Sequence, residues 1–445
     1  MKAARASPSS VRQRLSLGLV GLSRVVVRLE PLLLAVAAPF MLFPRPAWTP
    51  VMLAVPLVWL ARRIGRGRVI RRTPLDWAIL LMMVMVLVSL YATFDIAFSL
   101  PKIAGMVLGV GVYYAVAEYA DSERRLWVVV STFLLAGLGL SVVGLLGVNW
   151  LAKLPFLGFI TTRLPRVIKG LPGAEPGFSG NELAGALEWF ILPAWTLAAW
   201  LAFQPGTGKR RWVALLPGSV AVIATGTLVL TQSRGGLLGL AAGVLLLLLL
   251  AGRTWRLIAW GVAVAAVTIT LWVGPARIWD VVTNEGTALT TVSGRTEIWS
   301  RALYGIQDFP FTGMGMNAFR RVAPVLYPLF MVAPDQDISH AHNHLLQVAL
   351  DLGIPGLIAY LAIWLLAVAM TIQVWRSSAP IDQRVLAAGI AAGLLAHFVY
   401  GNTDVVALGA KPGLFWWWLL ALMAVNWQWA QSGNRPKLDL NADVV

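Results

Sequence analysis

Apolar runs long enough to cross a bilayer recur along the chain from residue 29 onwards, and polar segments separate them. A hydrocarbon core about 30 Å thick is crossed by roughly 20 apolar residues in a helix, whose backbone hydrogen bonds are internal. The pattern predicts an all-α polytopic membrane protein with about 12 transmembrane helices. The predicted spans cover residues 29–44, 47–61, 75–94, 99–118, 126–149, 182–203, 212–231, 235–251, 255–274, 353–375, 385–403 and 412–430.

Two polar segments between the spans are long enough to hold a functional site. The larger one, residues 275–352, separates spans nine and ten and is predicted to be helical. The smaller one, residues 150–181, separates spans five and six. The predicted order is a basic terminus, nine spans, the larger polar segment, three spans and a tail, with boundaries at residues 1–28, 29–274, 275–352, 353–430 and 431–445.

The distribution of charge orients these spans. The chain has 36 lysines and arginines against 20 acidic residues, a net charge of +16. In a soluble protein this excess would suggest nucleic acid, but here arginines concentrate in alternate segments, as in "RRIGRGRVIRR" at residues 62–72. The positive-inside rule then makes both termini cytoplasmic, and the arginine-rich stretch is predicted to contact anionic headgroups. Membrane lipids, and not nucleic acids, are the expected partners.

The first residues and the cysteine count exclude further classes. Residues 1–28 are basic, but their apolar stretch is short and no clear small-residue cleavage site follows, which favours a retained terminus over a signal peptide. The sequence has no cysteine. Disulfides and thiolate metal sites are therefore excluded.

The smaller polar segment has an unusual charge for its side of the membrane. It carries Lys153, Arg163, Arg166 and Lys169 against Glu175 alone. The insertion rule disfavours basic residues outside. This reversal predicts that the segment binds an anionic ligand or lipid phosphate.

Three of the four histidines lie together in "HAHNH" at residues 340–344. Asn343 is a good N-cap for the helix "HLLQVALDL", and Gly353 is placed to end it. His342 would then stand at the positive end of that helix, which favours a neutral imidazole. Such a group can act as a general base.

Two other interpretations of this cluster stay open. Histidines at a membrane interface often only cap helices, form hydrogen bonds and stack on neighbours. Alternatively, the alternating histidines could bind a divalent metal ion with Asp335 and Asp337. The polar segments contain no further histidine that could complete a metal site of a known type, which makes metal binding the weaker alternative.

Two arginines suggest an anion site. Arg234 in "TQSRGG" falls within bilayer depth, where arginine is usually functional or paired, although it could also reach the outer headgroups. Arg295 in "SGRTEIW" is predicted to start an amphipathic helix containing residues 296–306, and a helix N-terminus with an arginine binds anions. An ion pair of Arg295 with Glu297 or Asp308 is an equally good alternative.

Several other polar groups are predicted near the same membrane face. Glu188 lies inside a span and requires a partner or a cavity. "FWWWLL" at residues 415–420 is predicted to form an interfacial aromatic belt. Polar residues at span ends could shape a sugar or phosphate site or simply cap helices: Asn181, Glu182, Asn402, Asp404 and Lys411.

The ordered motifs "SRGG", "GRTEIW", "FTGMGMNAF" and "HAHNHLLQVALDLGIPGLIAYL" resemble the O-antigen ligase and polymerase superfamily of bacterial envelope glycosyltransferases. The likeness covers residues 175–375 by motif and the whole chain by its span plan. It implies a GT-C-like fold with a large periplasmic helical segment between spans nine and ten. It also implies a bacterial inner-membrane location, with the active site facing the periplasm.

The resemblance implies a reaction and roles for individual residues. The donor would be undecaprenyl-diphosphate-linked O-antigen and the acceptor lipid A-core, with inversion at the anomeric carbon and no metal or cofactor. The family's histidine corresponds to His342, with His340 or His344 able to share its role, and its two arginines correspond to Arg234 and Arg295. Arg163, Arg166 and Lys169 are further candidates for diphosphate binding. Supporting roles are expected for Asn343, Asn181, Glu182, Arg301 and Lys411.

The branch of the superfamily is a separate question. Chain length and the single dominant polar segment favour a ligase over a polymerase or a protein O-oligosaccharyltransferase. A transporter or flippase for lipid-linked sugar is the alternative from a different class, since buried arginines could bind its phosphates without bond cleavage.

Overall fold

A computed structural model describes residues 8–150, 155–170, 177–203, 212–283, 292–333 and 336–433. The first eleven α-helices are α1 Pro8–Arg28, α2 Glu30–Leu42, α3 Ala54–Arg66, α4 Asp76–Ala92, α5 Ile96–Tyr119, α6 Glu123–Gly147, α7 Pro155–Thr161, α8 Gly180–Phe203, α9 Leu215–Thr231, α10 Arg234–Leu250 and α11 Arg253–Val273. The other six are α12 Pro275–Thr283, α13 Val292–Asp308, α14 Phe319–Leu326, α15 His344–Arg376, α16 Ile381–Tyr400 and α17 Gly413–Ser432. A 3₁₀ helix, Pro46–Leu53, precedes α3.

The predicted fold class, an all-α polytopic membrane protein, is confirmed. Within the described ranges, six helices are long and apolar enough to cross a membrane: α5, α6, α8, α11, α15 and α16. Residues 17–28 of α1 together with α2 form a pair bent by 63° that could make one more span. Helices α4, α9 and α10 are apolar but shorter. The number of twelve spans stays a prediction.

Glycines let the central helices approach closely. A Cβ atom added to Gly239 of α10 would lie 2.5 Å from the carbonyl oxygen of Ala396 on α16, and one added to Gly243 would lie 2.7 Å from that of Ala392. Small residues at such positions allow backbone-to-backbone packing, which drives helix association in lipid. Helices α8, α10 and α16 pack closely against one another in the centre of the bundle.

Helix α11 is much less enclosed. It packs mainly against α10 and α12, and Ala259 is its only buried residue. Apolar side chains such as Trp260, Val264 and Trp272 are exposed along its length. In a bilayer this surface faces lipid.

The predicted aromatic belt at residues 415–420 is wrong for its central residues. Trp416 and Trp417 are only 4% and 2% exposed. Trp416 packs against Tyr360 and Trp364 of α15, and Trp417 packs edge-on to Tyr113 of α5. Large aromatic rings here fill space between helices, because α17 contacts α5 on one side and α15 on the other.

The arginine-rich stretch at residues 62–72 also differs from the prediction of simple headgroup contact. Arg62 is fully buried and forms an ion pair with Glu30, while Arg66 and Arg68 both pair with Glu118. The stretch therefore connects α2, α3 and α5. A buried arginine of this kind requires a carboxylate partner, which a sequence window around it does not contain.

The predicted basic terminus forms helix α1, which packs on α3. Its described side chains include the exposed apolar residues Leu17, Leu19 and Leu22. This apolar surface was not expected from a cytoplasmic basic segment. It lies next to α2 across the 63° bend.

The described part of the larger polar segment contains α12, α13, α14 and the first turns of α15, together with the predicted glycine-rich turn. Helix α13 includes the predicted amphipathic stretch at residues 296–306. The turn contains three residues with left-handed backbone, Gly313, Gly315 and Asn317. It packs against the interruption in α15 at Gly353, where φ is 69° and ψ is −178°.

Hydrogen bonds from the turn satisfy the backbone at this interruption. The N–H of Met314 donates to the carbonyl of Leu350 at 2.7 Å, and the N–H of Ile354 donates to the carbonyl of Pro310, also at 2.7 Å. The predicted end of the short helix at Gly353 is thus confirmed. The first turns of α15 are held separately from the span that follows.

Candidate functional site

The "HAHNH" residues enter α15 through a sharp turn. Asn343 is the N-cap, and its Oδ1 accepts hydrogen bonds from the N–H groups of Leu345 and Leu346 at 3.0 and 3.1 Å. The predicted cap is confirmed. His342 precedes it with φ of 51°, in the left-handed region that non-glycine residues seldom adopt. Such local strain is a common property of functional sites.

This turn brings His340 and His342 to Asp404, from the turn that follows α16. The Nδ1 atom of His342 lies 3.3 Å from Oδ1 of Asp404, and Nε2 of His340 lies 3.5 Å from the same oxygen. The two imidazole centroids are 4.3 Å apart. We call these three residues the His–Asp cluster.

His340 and Asp404 have shifted pKa values, and the shifts have different causes. Burial, reinforced by His342, lowers the pKa of His340 to about 3, although Asp404 opposes the shift. Burial alone would raise the pKa of Asp404, but its hydrogen bond with His342 and the charges of the histidines and Arg295 together bring it below its usual range. An ionised Asp404 can accept a hydrogen bond from Nδ1–H of His342. Nε2 of His342 would then be free to accept a proton.

The backbone next to Asp404 is where the two arginine motifs meet. Arg295, which is 3% exposed, donates from Nη1 to the carbonyl of Thr403. Gly235 lies so close that an added Cβ would stand 2.1 Å from Oγ1 of Thr403. Arg234, beside it, is the first residue of α10 and is half-buried. The 400–404 turn therefore connects the arginines with the His–Asp cluster.

Arg295 retains hydrogen-bonding capacity at this point. Its buried Nε has no hydrogen-bond partner within the described ranges. The alternative of an ion pair with Glu297 or Asp308 is not seen there, because Glu297 pairs with Arg301 and Asp308 accepts a hydrogen bond from Tyr327. A buried guanidinium with an unused donor is suited to an anion.

A second set of hydrogen bonds fixes the histidine loop. The side chain of Gln347 accepts from the N–H of Ala341 at 2.8 Å and donates to Asp351 at 2.9 Å. Asp351 also accepts from the N–H of Asn317 at 3.1 Å. Hydrogen bonds thus connect the loop, the start of α15 and the glycine-rich turn.

His344 does not join the cluster. It is 2% exposed, its Nδ1 lies 2.9 Å from the hydroxyl of Tyr360, and its ring packs on Phe398. Of the predicted aspartate ligands, Asp337 pairs with Arg320, and Asp335 lies outside the described residues. Among the described residues, His344 and Asp337 of the metal ligand set predicted from the sequence are therefore engaged elsewhere.

The His–Asp cluster itself nevertheless has metal-like geometry. One ligand atom each from His340, His342 and Asp404 lie within 4.8 Å of one another. The surrounding charges oppose a cation, since Arg295 lies within electrostatic range of both His340 and Asp404. Repulsion by such a group weakens divalent metal binding.

The three basic residues predicted in the smaller polar segment are not brought to the cluster. Arg163 is exposed and stacks 3.7 Å from the ring centroid of Phe159, and Arg166 donates to the carbonyl of Trp150 at 3.2 Å. Lys169 is exposed. Lys153 lies outside the described residues. Within the described ranges, Arg163 and Arg166 thus make contacts inside or next to the smaller polar segment.

The predicted supporting residues divide into two groups. Arg301 holds the loop after α14, donating to the carbonyl of Pro328 at 2.8 Å. Glu182, by contrast, lies within electrostatic range of Asp404, Lys411 and Lys102. Asn181, the preceding residue, accepts a hydrogen bond through its carbonyl from Tyr400 at 2.8 Å.

Two residues of the site were underestimated from the sequence. The sequence pattern indicates Asp404 only as a polar residue at a span end, and it does not single out Lys102. Lys102 lies in the second turn of α5 and within electrostatic range of His340, Glu182 and Asp351. Its signal in the sequence was a lysine just inside an apolar span, in "SLPKIAG" at residues 99–105.

The buried Glu188 has a neighbouring histidine, but neither of its carboxylate oxygens makes a hydrogen bond within the described ranges. His397 of α16 places Nδ1 3.9 Å from its Oε2, and both side chains are buried. The same Nδ1 is 3.0 Å from the carbonyl oxygen of Gly185. This pair lies between α8 and α16, in the centre of the bundle.

Comparison with known proteins agrees with the motifs. Residues 219–361 match the family model described as O-antigen ligase. A protein named O-antigen ligase from Pseudomonas aeruginosa is 27% identical over 315 residues, which cover 68% of this chain and 70% of that protein. The similarity to O-antigen ligases predicted from the sequence is confirmed.

Proposed function

Because residues 219–361 match the O-antigen ligase family, we propose that this protein is a glycosyltransferase that joins O-antigen to lipid A-core. The donor is undecaprenyl-diphosphate-linked O-antigen in the outer leaflet of the bacterial inner membrane. Both termini are cytoplasmic and the His–Asp cluster faces the periplasm. The single observation that carries the proposal is the meeting of the cluster with Arg295 at the 400–404 turn.

The arginines serve the leaving group. Breaking the glycosidic bond releases a diphosphate whose negative charge grows in the transition state. Arg295 is buried, has an unused donor on Nε and lies beside the cluster, and Gly235, the residue after Arg234, packs against Thr403 of the same turn. Two guanidinium groups in a site of low polarity can bind and stabilise that charge. No metal ion is needed for this step.

His342 serves the acceptor. Asp404 accepts a hydrogen bond from Nδ1–H of His342 and holds the imidazole ring in position, as carboxylates commonly do for catalytic histidines. Nε2 removes the proton from a sugar hydroxyl of the acceptor as that oxygen bonds to the anomeric carbon. The carbon–oxygen bond to diphosphate breaks, and its electron pair leaves with the diphosphate. Attack from the opposite face inverts the anomeric centre.

The proposal is tested with purified protein, polyprenyl-diphosphate glycan and rough lipopolysaccharide. We expect a ladder of glycosylated lipopolysaccharide on a gel. The His342→Ala variant should lose at least about 100-fold in rate, since general base catalysis contributes about 10²–10⁴-fold, while its melting temperature stays close to that of the wild type. An active donor preparation without a ladder would refute the function, and an active His342→Ala protein would refute the assigned base.

A metal-dependent site is the second candidate, and the clustering of three ligand atoms within 4.8 Å favours it. A chelator separates the two. Transfer that persists after dialysis against EDTA supports the base mechanism, whereas loss and recovery with a divalent metal would assign the cluster to metal binding.

The branch and class are decided by the product. A longer lipid-linked glycan would indicate a polymerase, and a glycosylated protein would indicate a protein O-oligosaccharyltransferase. Movement of lipid-linked sugar across vesicles without a covalent product would indicate a flippase. Mass spectrometry of the acceptor identifies each outcome.

A further inference from the structure

Lys102 is held in place by a close backbone contact at the site end of α5. A Cβ atom added to Gly409 would lie 1.8 Å from the carbonyl oxygen of Lys102, and one added to Gly105 would lie 2.1 Å from that of Gly409. The two glycines allow α5 to touch the 407–411 segment directly. Main-chain packing therefore fixes Lys102 against the 407–411 segment, which follows the 400–404 turn of the His–Asp cluster, and Lys102 lies within electrostatic range of His340.

The charge of Lys102 is not matched by a close partner. Its ammonium makes no hydrogen bond or short ion pair with the described part of the chain, and Glu182 and Asp351 act on it only at longer range. Asp351 already accepts bonds from Gln347 and Asn317. Since Lys102 is only partly buried, a ligand can reach it.

The charged residues near Lys102 are already paired or shared with other groups. Glu182 is shared between Lys102 and Lys411. Arg320, which lies within electrostatic range of Lys102, forms a bidentate pair with Asp337. Lys102 is thus a cation beside His340 that no carboxylate neutralises at contact distance.

We propose that Lys102 binds an anionic group, such as a phosphate, on the glycan of the acceptor. This inference rests on the proposed function and assigns a subsite to its second substrate. Lys102 comes from α5 and the 407–411 segment, whereas the arginines meet at Thr403. His340 lies within electrostatic range of both Lys102 and Arg295. The cluster therefore has two cationic neighbours on different elements, as a transfer between two anionic substrates requires.

The choice of the acceptor follows from the chemistry of the base. An attacking hydroxyl must lie against the base and on the far side of the anomeric carbon from the leaving diphosphate. Arg234 and Arg295 already supply two positive charges for that diphosphate. A cation next to the histidines but on a different element is consequently placed for the molecule that carries the hydroxyl.

The test measures initial rates for Lys102→Gln while each substrate is varied. We expect the KM for rough lipopolysaccharide to rise about tenfold or more, because a hydrogen bond to a charged group is lost, with the donor KM and kcat little changed. Lys102→Arg should restore most of the acceptor affinity. The exposed Arg277→Gln variant is the matched control and should behave as wild type.

A dephosphorylated acceptor identifies the source of the anion. If Lys102 contacts an acceptor phosphate, wild type should lose the same factor with this substrate, and Lys102→Gln should lose nothing more. A rise in the donor KM instead, or weaker binding of polyprenyl diphosphate, would assign Lys102 to the donor and overturn the inference. Unchanged constants for both substrates would also overturn it.

Binding measurements keep this inference separate from the proposed function. Wild type and Lys102→Gln in nanodiscs are titrated with rough lipopolysaccharide and with polyprenyl diphosphate, without turnover. Weaker binding of lipopolysaccharide alone supports the subsite. If wild type binds the lipopolysaccharide but makes no product, the function fails while the subsite stands.

Discussion

At the scale of single residues, the site is organised around one carboxylate. Asp404 accepts the hydrogen bond from His342 and also one from its own neighbour, the N–H of Val405, at 2.8 Å. Its 62-residue separation from His342 hides this relation from any local pattern. "HAHNH" could be recognised as a base and a helix cap, but its orienting group could not, because α16 must first pack into the bundle.

Asp404→Asn should reduce the transfer rate by about 100-fold or more, since it removes the charge that positions the general base. The amide keeps the size of the side chain and can still accept from Val405, so the protein should fold. Rates and melting temperatures of the variant check this. Asp121→Asn, in an exposed ion pair with Arg125, is the matched control and should retain full activity. A fully active Asp404→Asn enzyme would show that His342 needs no orienting carboxylate.

His340 should make stability depend on pH. Its pKa is about 3 in the folded protein against an ordinary value of 6.5, so between these values the unfolded chain binds a proton that the folded chain does not. Stability should therefore be complete above pH 6.5 and decline as the pH falls towards 3. His340→Gln should lose less of its melting temperature than wild type between pH 7 and about pH 4. Parallel curves for the two proteins would contradict this assignment.

At the scale of elements, the break in α15 sets the position of the histidine loop. Residues 344–352 belong structurally with the glycine-rich turn, whereas the remainder of α15 is a membrane span. The sequence pattern located this boundary correctly, because a glycine can adopt the positive φ that ends a helix and Pro355, two residues later, cannot donate a backbone hydrogen bond. It could not show that residues 310–314 supply the missing hydrogen bonds.

Gly353→Ala should destabilise the protein and slow transfer. The left-handed backbone costs a non-glycine residue about 1–2 kcal/mol, and the new Cβ would lie 2.7 Å from the carbonyl oxygen of Phe311. A lower melting temperature and a reduced rate are expected. Gly261→Ala in α11, where the added Cβ meets nothing within 4 Å, should cost nothing. Equal stability of the two variants would mean that the break is not needed.

Predictions for single helices also failed where the position of a side chain depends on its partner in another helix. The tryptophans at residues 416–417 have the composition of an interfacial belt, yet both are buried between helices. Arg62 has the context of a topology signal, yet Glu30 neutralises it inside the bundle. In each case the local composition was typical of the predicted role, but a partner on a different helix buries the residue.

At the scale of the whole molecule, the arrangement of charge predicts an orientation in the membrane. The helix ends that carry Arg234, Arg295, His342 and Asp404 lie together. The arginine-rich stretch at residues 62–72 instead pairs with Glu30 at the first residue of α2 and with Glu118 near the end of α5, which are the ends of these helices away from the site. The positive-inside rule places the arginine-rich end in the cytoplasm. The His–Asp cluster is then outside.

The absence of native cysteine allows this orientation to be tested directly. Arg277→Cys should react with a membrane-impermeant maleimide in intact spheroplasts, whereas Arg124→Cys should react only after the membrane is permeabilised. Both positions are exposed in the fold, so any difference in labelling reports sidedness. Labelling of Arg124→Cys in intact spheroplasts would invert the proposed topology.

Helix α11 has a consequence for how the protein tolerates sequence change. With Ala259 as its only buried residue, most of its positions are constrained by hydropathy and not by the shape of a neighbour. A saturation-mutagenesis library selected for activity should therefore accept nearly any apolar residue along α11 and reject charged ones in its middle. The glycines of α10, which touch the α16 backbone, should accept almost nothing. Two adjacent apolar helices would thus evolve under different rules, one by composition and the other by fit.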